Sequence, residues 1–224
     1  MRLVYTGYNL EIALVENQIN VITVENTEMF SKIVSDLWSQ MEGGEGGFIL
    51  SDNDKILNIA KNLEFIVNPV AVNCNDKKIL SKLYKELENM AMEELYENLS
   101  KLNSDIVATL DLIIKRAPYG LESELQLDVT GLFKLYDVKF PKGESNLAER
   151  LIEYLRICHQ ICGIKVFVFL NLKQFMSDEE IDGIYEFACY EKIHLILFEG
   201  SFHKKSFLEK NLIIDRDRCI IEVN

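Results

Sequence analysis

Basic side chains are the residues of this sequence whose spacing first suggests a chemistry. Lys77, Lys78, Lys82 and Lys85 follow one another before any acidic residue appears, at Glu86. Positions 78, 82 and 85 share one face of a helix, because residues three and four apart are neighbours on a helix surface. Such a face could contact phosphate groups, although a single run of lysines is typical of a solvated surface.

Further basic groups recur in the same part of the chain and near its end. They are Lys115-Arg116; Lys134, Lys139 and Lys142; and His203-Lys204-Lys205 with Lys210. Together, the groups between 77 and 142 place positive charge on one segment of an otherwise acidic chain. An oligomer could join such segments into one surface for phosphates, so the local potential is more informative than the net charge.

Acidic side chains gather in the stretch that follows a Pro-Tyr-Gly turn. Glu122, Glu124 and Asp128 lie within seven residues, and Asp137 and Glu144 follow. Oxygen ligands presented by loops suit Ca²⁺, which accepts variable geometry. The spacing does not match an EF-hand loop, so the pattern leaves two interpretations open, a calcium site and a solvated acidic loop.

The residue pattern gives little support to enzymatic chemistry. A phosphate loop would lie between a strand at 19–24 and the helix after it. That turn reads Glu25-Asn26-Thr27, without the Gly and Lys that wrap a phosphate. No Gly-x-Ser-x-Gly elbow occurs, and His159, His194 and His203 have no evident acidic or nucleophilic partner in sequence.

The composition bounds the class of protein. The 224 residues are 48% hydrophobic and 27% charged, which are globular proportions and argue against intrinsic disorder. No apolar run reaches the ~18 residues of a membrane span, and the first residues lack a secretory h-region, so we expect no membrane partner. The five scattered cysteines favour free thiols in a reduced cytoplasm. The net charge of −12 makes nucleic acid a poor partner by bulk charge alone.

Hydrophobic periodicity divides the chain into three regimes that position these groups. Short strands and one helix come first. A helical block follows from about 75 to 117, which we interpret as an antiparallel hairpin of two long helices, with a short helix at Val129–Leu135.

The third regime, from about 145, alternates helices with strands. The segments 165–170 and 194–198 are apolar on both faces, as in a covered parallel sheet. Ser177 and Glu180 form a capping box, and 213–223 is a terminal strand pair. The predicted fold is therefore α/β, with a head domain at 1–68 and 142–224 and an inserted helical domain at 69–141.

Four stretches together suggest a family. They are VENTEMFSKIV at 24–34, VFVFLNLKQFMSDEE at 166–180, HLILFE at 194–199 and DRD at 215–217. In this order and at this length, they resemble the small accessory adaptation proteins of type II-A CRISPR systems, of the Csn family. None of them is a catalytic signature, so the specificity comes from the set.

The resemblance implies a fold and an assembly. It implies an α/β head resembling a degenerate P-loop ATPase core without a working nucleotide site, and a helical leg inserted in it. Four chains are expected to form a homotetrameric ring, stabilised by Ca²⁺, whose lysine-lined central channel binds double-stranded DNA at free ends without sequence preference. The expected partners are the CRISPR integrase proteins and the effector nuclease, in the acquisition of new spacers, and no enzymatic activity is expected.

The resemblance also suggests which residues carry these roles. The predicted calcium ligands are Glu122, Glu124, Asp128 and Asp137. The predicted DNA contacts are Lys115, Arg116, Lys134, Lys139 and Lys142, followed by Lys78, Lys82 and Lys85. Two alternatives stay open: a metal- or ATP-dependent enzyme that processes DNA, and an adaptor that binds only proteins.

Overall fold

The structure is a computed structural model that describes residues 1–53, 55–141 and 146–223. In these ranges the strands are β1 (Arg2–Tyr5), β2 (Leu10–Ala13), β3 (Ile19–Val24), β4 (Phe48–Asp52), β5 (Lys55–Leu57), β6 (Leu63–Ile66), β7 (Val166–Leu170), β8 (His194–Glu199), β9 (Glu209–Ile214) and β10 (Ile220–Val223). The α-helices are α1 (Thr27–Met41), α2 (Ile59–Asn62), α3 (Lys77–Glu94), α4 (Tyr96–Ile114), α5 (Val129–Leu135), α6 (Leu147–Cys162) and α7 (Asp178–Tyr190).

Contacts within the chain divide it into two compact units. The head unit comprises Met1–Asn73 and Gly143–Asn224, and the helical unit comprises Cys74–Lys142. The sequence analysis placed the insertion at 69–141. The predicted α/β class is confirmed, because the head unit contains two sheets with helices packed on them.

A six-stranded sheet forms the centre of the head unit. Its strand order is β10-β9-β3-β8-β7-β6, with β6, β7, β8, β3 and β9 parallel and β10 antiparallel to β9. Every residue of β3 is buried. A strand of a parallel sheet is covered on both faces, which explains the uninterrupted apolar runs seen in the sequence.

The two faces of this sheet are covered by different elements. Val166 and Val168 of β7 belong to a core cluster that also contains residues of α1 and of the strands β1, β2 and β4. Phe167 and Phe169 are fully buried but lie outside that cluster. Successive residues of a strand point to opposite faces. The second face is therefore covered by α6 and α7, which pack against each other and carry their own buried residues.

A four-stranded antiparallel sheet completes the head unit. Its order is β2-β1-β4-β5, and its inner face joins the same core cluster as α1. In β2, buried Leu10 and Ile12 alternate with exposed Glu11 and Ala13, as expected for a sheet with one solvated face. The strand β5 was not predicted from the sequence.

The helical unit is held together by a small set of contacts. Tyr84 of α3 packs on Phe133 of α5 at 5.8 Å between ring centroids, and its hydroxyl donates to the carbonyl of Val138 at 2.7 Å. The side chain of Asn75 accepts from the N–H of Phe140 at 2.9 Å and donates to its carbonyl at 3.1 Å. These bonds fasten the extended segment after α5 to the start of α3.

The predicted hairpin of two long helices is wrong. Only Leu95 separates α3 from α4, and the i→i−4 hydrogen bonds continue across it, from Leu95 N–H to Ala91 O and from Leu99 N–H to Leu95 O. A single linking residue gives a bend rather than a reversal, and α4 has no buried residue that a hairpin partner would cover. Asn103 and Ser104, polar residues of the kind that favour helix ends, lie inside α4.

Several local predictions are confirmed. The short helix is found at Val129–Leu135, and the Ser177–Glu180 capping box forms at the start of α7. The terminal pair is found as β9 and β10.

Truncation of a buried side chain should reduce the free energy of unfolding much more than truncation of an exposed one. Phe167 of β7 is fully buried, so Phe167→Ala should cost about 3–5 kcal/mol of unfolding free energy by urea titration, because it leaves a cavity. Phe207 is 98% exposed, so Phe207→Ala should change stability by less than about 0.5 kcal/mol. Equal losses in the two variants would contradict this placement of the core.

Candidate nucleic-acid interface

The first lysine group lies on the initial turns of α3. Lys78, Lys82 and Lys85 are exposed, at the spacing that the sequence predicted for one helix face. No acidic residue lies in the first turn, and the N-cap Asp76 makes no side-chain capping bond. Asp76 contributes one negative charge at this end of the helix, and the lysines of the first turns outnumber it. This end of α3 has the electrostatic character of an anion-binding surface.

The second group lies at the end of α4. Lys115 is the C-cap residue, and its N–H donates to the carbonyl of Asp111. The N–H of Arg116, which follows it, donates to the carbonyl of Ile113. Both side chains are exposed. Among the described residues, neither Lys115 nor Arg116 forms an ion pair. Their cationic groups are therefore available to solvent or to an anionic ligand.

The third group behaves differently at each position. Lys134 is exposed in the last turn of α5, and its charge contributes to a lowered pKa at Asp128. Lys139 forms an ion pair with Asp137. Lys142 lies outside the described residues. Two predicted roles thus meet in one pair, because a predicted DNA contact neutralises a predicted calcium ligand.

The predicted calcium ligands are not gathered in the described chain. Asp128 is the N-cap of α5 and accepts from the N–H of Gly131 at 2.8 Å, and this bond is the main reason that its pKa is lowered. Glu124 accepts from the N–H of Leu125, and Glu122 is exposed. Nowhere in residues 1–53, 55–141 or 146–223 do three or more His, Cys, Asp or Glu side chains form a group that could hold a metal. These carboxylates therefore do not fit a preformed calcium site within the described chain, and the calcium role stays a prediction.

The turn from β3 to α1, where a phosphate loop would lie, is closed by the chain's own groups. The Asn26 side chain accepts from the N–H of Met29 at 3.0 Å and donates to the carbonyl of Arg216 at 2.9 Å. Glu28 in the first turn of α1 pairs with Arg218 at 3.0 Å. The N-terminal end of α1 thus has a side-chain cap and an acid of its own, where a phosphate loop would present bare N–H groups.

A buried cluster of charges beside the six-stranded sheet was missed by the sequence analysis. Lys173 Nζ lies 2.5 Å from Glu209 Oε1, and their side chains are 8% and 0% exposed. Tyr185 of α7 donates to the same oxygen at 2.8 Å. Burial, followed by the Glu209 carboxylate, raises the pKa of Tyr185, so the phenol keeps its proton and acts as the donor. The signal available in the sequence was the presence of Glu199 and Glu209 at the borders of apolar strands.

Glu199 is the member of this cluster with an unsatisfied atom. Its Oε1 accepts from the N–H of Lys173 at 3.2 Å, whereas Oε2 has no hydrogen-bond partner among the described residues. His203 Nε2 lies 3.7 Å from Oε2, too far for a hydrogen bond. Burial is the main cause that raises the pKa of Glu199 to about 7.

The fold and these surfaces together define a class of protein. The protein is an α/β protein with a parallel central sheet, interrupted by a helical unit that carries clustered cations, and its strand-to-helix turn lacks the residues of a phosphate loop. The family description CRISPR-associated protein (Cas_Csn2) matches residues 40–218, and the chain belongs to this family. The predicted resemblance is confirmed, and the protein has a CRISPR-associated role in adaptation.

A solved structure shows a weak overall likeness. It is a protein from Pyrococcus furiosus, provisionally described as an ABC transporter (ATP-binding protein). It is 11% identical, the match covers 94% of this chain and 97% of that one, and the TM-score is 0.42. A likeness at this TM-score carries no argument about function. Among the helices of the described residues, none has the length and apolar character needed to cross a membrane.

Removal of the Glu199 charge should change how stability depends on pH. Because its pKa is raised to about 7, the folded protein binds more protons than the unfolded chain between the ordinary value of 4.5 and 7. Stability should therefore fall as the pH rises through this window, by an amount of the order of 2–3 kcal/mol. Glu199→Gln should remove this fall and be more stable than the unmodified protein at pH 8, which is above the window.

The measurement is urea unfolding at a series of pH values. Glu45→Gln, at an exposed turn, is the matched control and should follow the unmodified protein. If the unfolding free energies of Glu199→Gln and of the unmodified protein depend on pH in the same way, the buried carboxyl does not titrate as described.

Proposed function

We propose that this protein is a non-enzymatic, double-stranded-DNA-binding protein that assembles into a ring-shaped homotetramer and assists the acquisition of new CRISPR spacers. In this proposal the cations of the helical unit grip the phosphate backbone without reading bases, and binding begins at free DNA ends. The CRISPR integrase proteins and the effector nuclease are its proposed partners.

The concentration of cations on the helical unit is the observation that carries the proposal. Residues 74–142 hold ten of the chain's 24 Lys and Arg in less than a third of its length. The same residues hold 12 of the chain's 36 Asp and Glu, so their net charge is −2 and the rest of the chain carries −10. Phosphate binding responds to the local potential rather than to the net charge, so an acidic chain can still hold DNA on such a surface.

The absence of enzymatic activity is supported by the chemistry of the residues. The β3–α1 turn presents Glu25 and the capping Asn26 where a nucleotide enzyme needs glycines and a lysine. Glu25 would repel a phosphate, and α1 already has its N-terminal cap. A DNA clamp needs neither a nucleophile nor a general base.

Self-association is supported by the surface of α4. None of the 19 residues of this helix is buried, and three of its large apolar or aromatic side chains, Tyr96, Leu112 and Ile113, are more than 60% exposed. Apolar side chains spread over one long helix indicate a surface that another protein covers. A second copy of the helical unit, presenting the same surface, is the occupant that the proposed tetramer requires.

Charge reversal on the helical unit should weaken DNA binding. The double variant Lys115→Glu, Arg116→Glu should bind a linear duplex about tenfold more weakly at 0.1 M salt, because neutralised phosphates supply the affinity. The logarithm of affinity should also fall less steeply with salt, by about 0.9 for each phosphate that the variant no longer neutralises. Fluorescence anisotropy measures both, with Lys61→Glu, an exposed lysine of the head unit, as the control.

The same assay distinguishes the alternatives. If the charge reversal leaves affinity and salt slope unchanged, the proposed surface is wrong. If the unmodified protein binds no duplex at all, a protein-only adaptor is the better explanation. Cleavage of an end-labelled duplex in the presence of Mg²⁺ or Mn²⁺ and ATP would favour the alternative that the protein is a metal- or ATP-dependent enzyme that processes DNA. Equal affinity for linear duplex and nick-free circles would contradict binding at ends.

The assembly and its proposed dependence on Ca²⁺ are tested by native mass measurement. The unmodified protein should be a tetramer in Ca²⁺ and should dissociate when a chelator removes the ion. Ile113→Asp, which places a charge on the exposed face of α4, should give smaller species even in Ca²⁺, whereas Ile56→Asp in the head unit should not. A mass unaffected by the chelator would contradict the calcium role.

A further inference from the structure

The loop between β8 and β9 carries an unusual combination of side chains. Residues 200–208 include Phe202, His203, Lys204, Lys205 and Phe207 and contain no acidic residue, in a chain with a net charge of −12. Phe202 is 51% exposed and Phe207 is 98% exposed. We call residues 200–208 the aromatic-basic loop. Two exposed phenylalanines and two lysines within six residues form a combined apolar and cationic patch, the kind of surface that binds a ligand.

The buried charge cluster holds the aromatic-basic loop in place through hydrogen bonds to its backbone. Lys173 Nζ donates to the carbonyl of Lys204 at 3.2 Å while it pairs with Glu209. The N–H of Ser206 donates to Glu209 Oε2 at 3.2 Å, and its hydroxyl donates to Asp182 at 2.5 Å. The backbone of Lys204 and the following Ser206 are thus bonded to Lys173, to Glu209 of the sheet and to Asp182 of α7. Because these bonds already restrain the loop, it should lose little conformational entropy when Phe207 contacts a ligand.

The charges around the loop favour a polyanion over an apolar protein surface. The nearby acids are engaged or buried: Asp182 accepts from Ser206, Glu209 pairs with Lys173, and Glu199 is buried. Asp178 is the further acid that lines the cavity of about 90 Å³ under the loop, together with His203 and Lys204. The exposed side chains of the loop itself are Ser201, Phe202, Lys204, Lys205 and Phe207, and none of them is acidic.

A fixed aromatic ring beside cations is the arrangement by which proteins stack nucleobases and hold the adjoining phosphates. We propose that the aromatic-basic loop binds an exposed nucleobase face flanked by phosphates, with Phe207 stacking on the base and Lys204 contacting a phosphate. Two sources present this chemistry, the terminal base pair of a blunt duplex and an unpaired base of an overhang. The inference rests on the proposed function for its ligand, DNA, and names the element that recognises an end.

Three duplexes of one sequence test this inference. One is blunt, one has a short 3′ overhang, and one has both ends closed by an oligoethylene glycol linker, which contains no bases and blocks the terminal pair. Phe207→Ala should bind the open-ended probes about tenfold more weakly and the linker-closed probe unchanged, because the variant removes only the ring that stacks on a base. Phe207→Tyr should keep the preference for open ends. Tyr190→Ala, at an 83% exposed aromatic of the same unit, should leave all three affinities unchanged.

The outcomes separate this inference from the proposed function. A stronger effect of Phe207→Ala on the blunt probe identifies the terminal base pair as the ligand, and a stronger effect on the overhang identifies the unpaired base. If the unmodified protein binds the open-ended probes and Phe207→Ala binds them with the same affinity, the loop inference is overturned while the DNA-binding proposal stands. If the unmodified protein binds none of the probes, the DNA-binding proposal itself fails. A Phe207→Ala variant that keeps full DNA binding but changes the native mass would overturn the inference by showing that the loop touches another copy of the chain.

Discussion

The central parallel sheet imposes the constraint on which the head unit depends. Its strands are apolar on both faces, so each face must be covered. The chain meets this requirement with α1 and the four-stranded sheet on one face and with α6 and α7 on the other. Val166 and Phe167, adjacent in sequence, belong to two different cores. A strand of this kind cannot change its register or lose one covering layer without exposing a full face to water.

The same burial determines the polar chemistry of the head unit. Charged side chains are buried near the ends of the strands. They need hydrogen-bond or ion-pair partners, because an unpaired buried charge costs folding free energy. Lys173, Glu209 and Tyr185 satisfy one another, whereas Glu199 keeps an oxygen without a hydrogen-bond partner in the described chain and responds with a raised pKa. This cluster also fastens the aromatic-basic loop, so the buried charges and the exposed loop are parts of one arrangement.

The net charge of −12 has a different meaning once the residues are placed. It suggested that nucleic acid was a poor partner, but that inference treats the charge as uniformly spread. The helical unit holds a large share of the cations, and at the N-terminal end of α3 the lysines outnumber the single carboxylate of the N-cap Asp76. Under the proposed function, phosphate binding by such a surface should be weak and sensitive to salt.

The sequence by itself determined the elements whose signals are local. Continuous apolar runs predicted β7 and β8, Ser177 and Glu180 predicted the start of α7, and four motifs together predicted the family. The candidate cations could be found in the same way, because charge is visible in the sequence. The hairpin was predicted wrongly, because the interruption at Leu95 carries no Gly or Pro and helical periodicity does not report the direction of the chain.

Only the tertiary structure decided which side chains meet. It paired Lys139 with Asp137, left the predicted calcium carboxylates of the described chain without a common centre, and joined Lys173 to Glu209 across 36 positions of sequence. It also showed that Phe207 faces water although its residue type predicts burial. The physical reason is the same in each case. Burial and pairing depend on contacts between distant segments, and those contacts exist only after the sheet has brought the strand ends together.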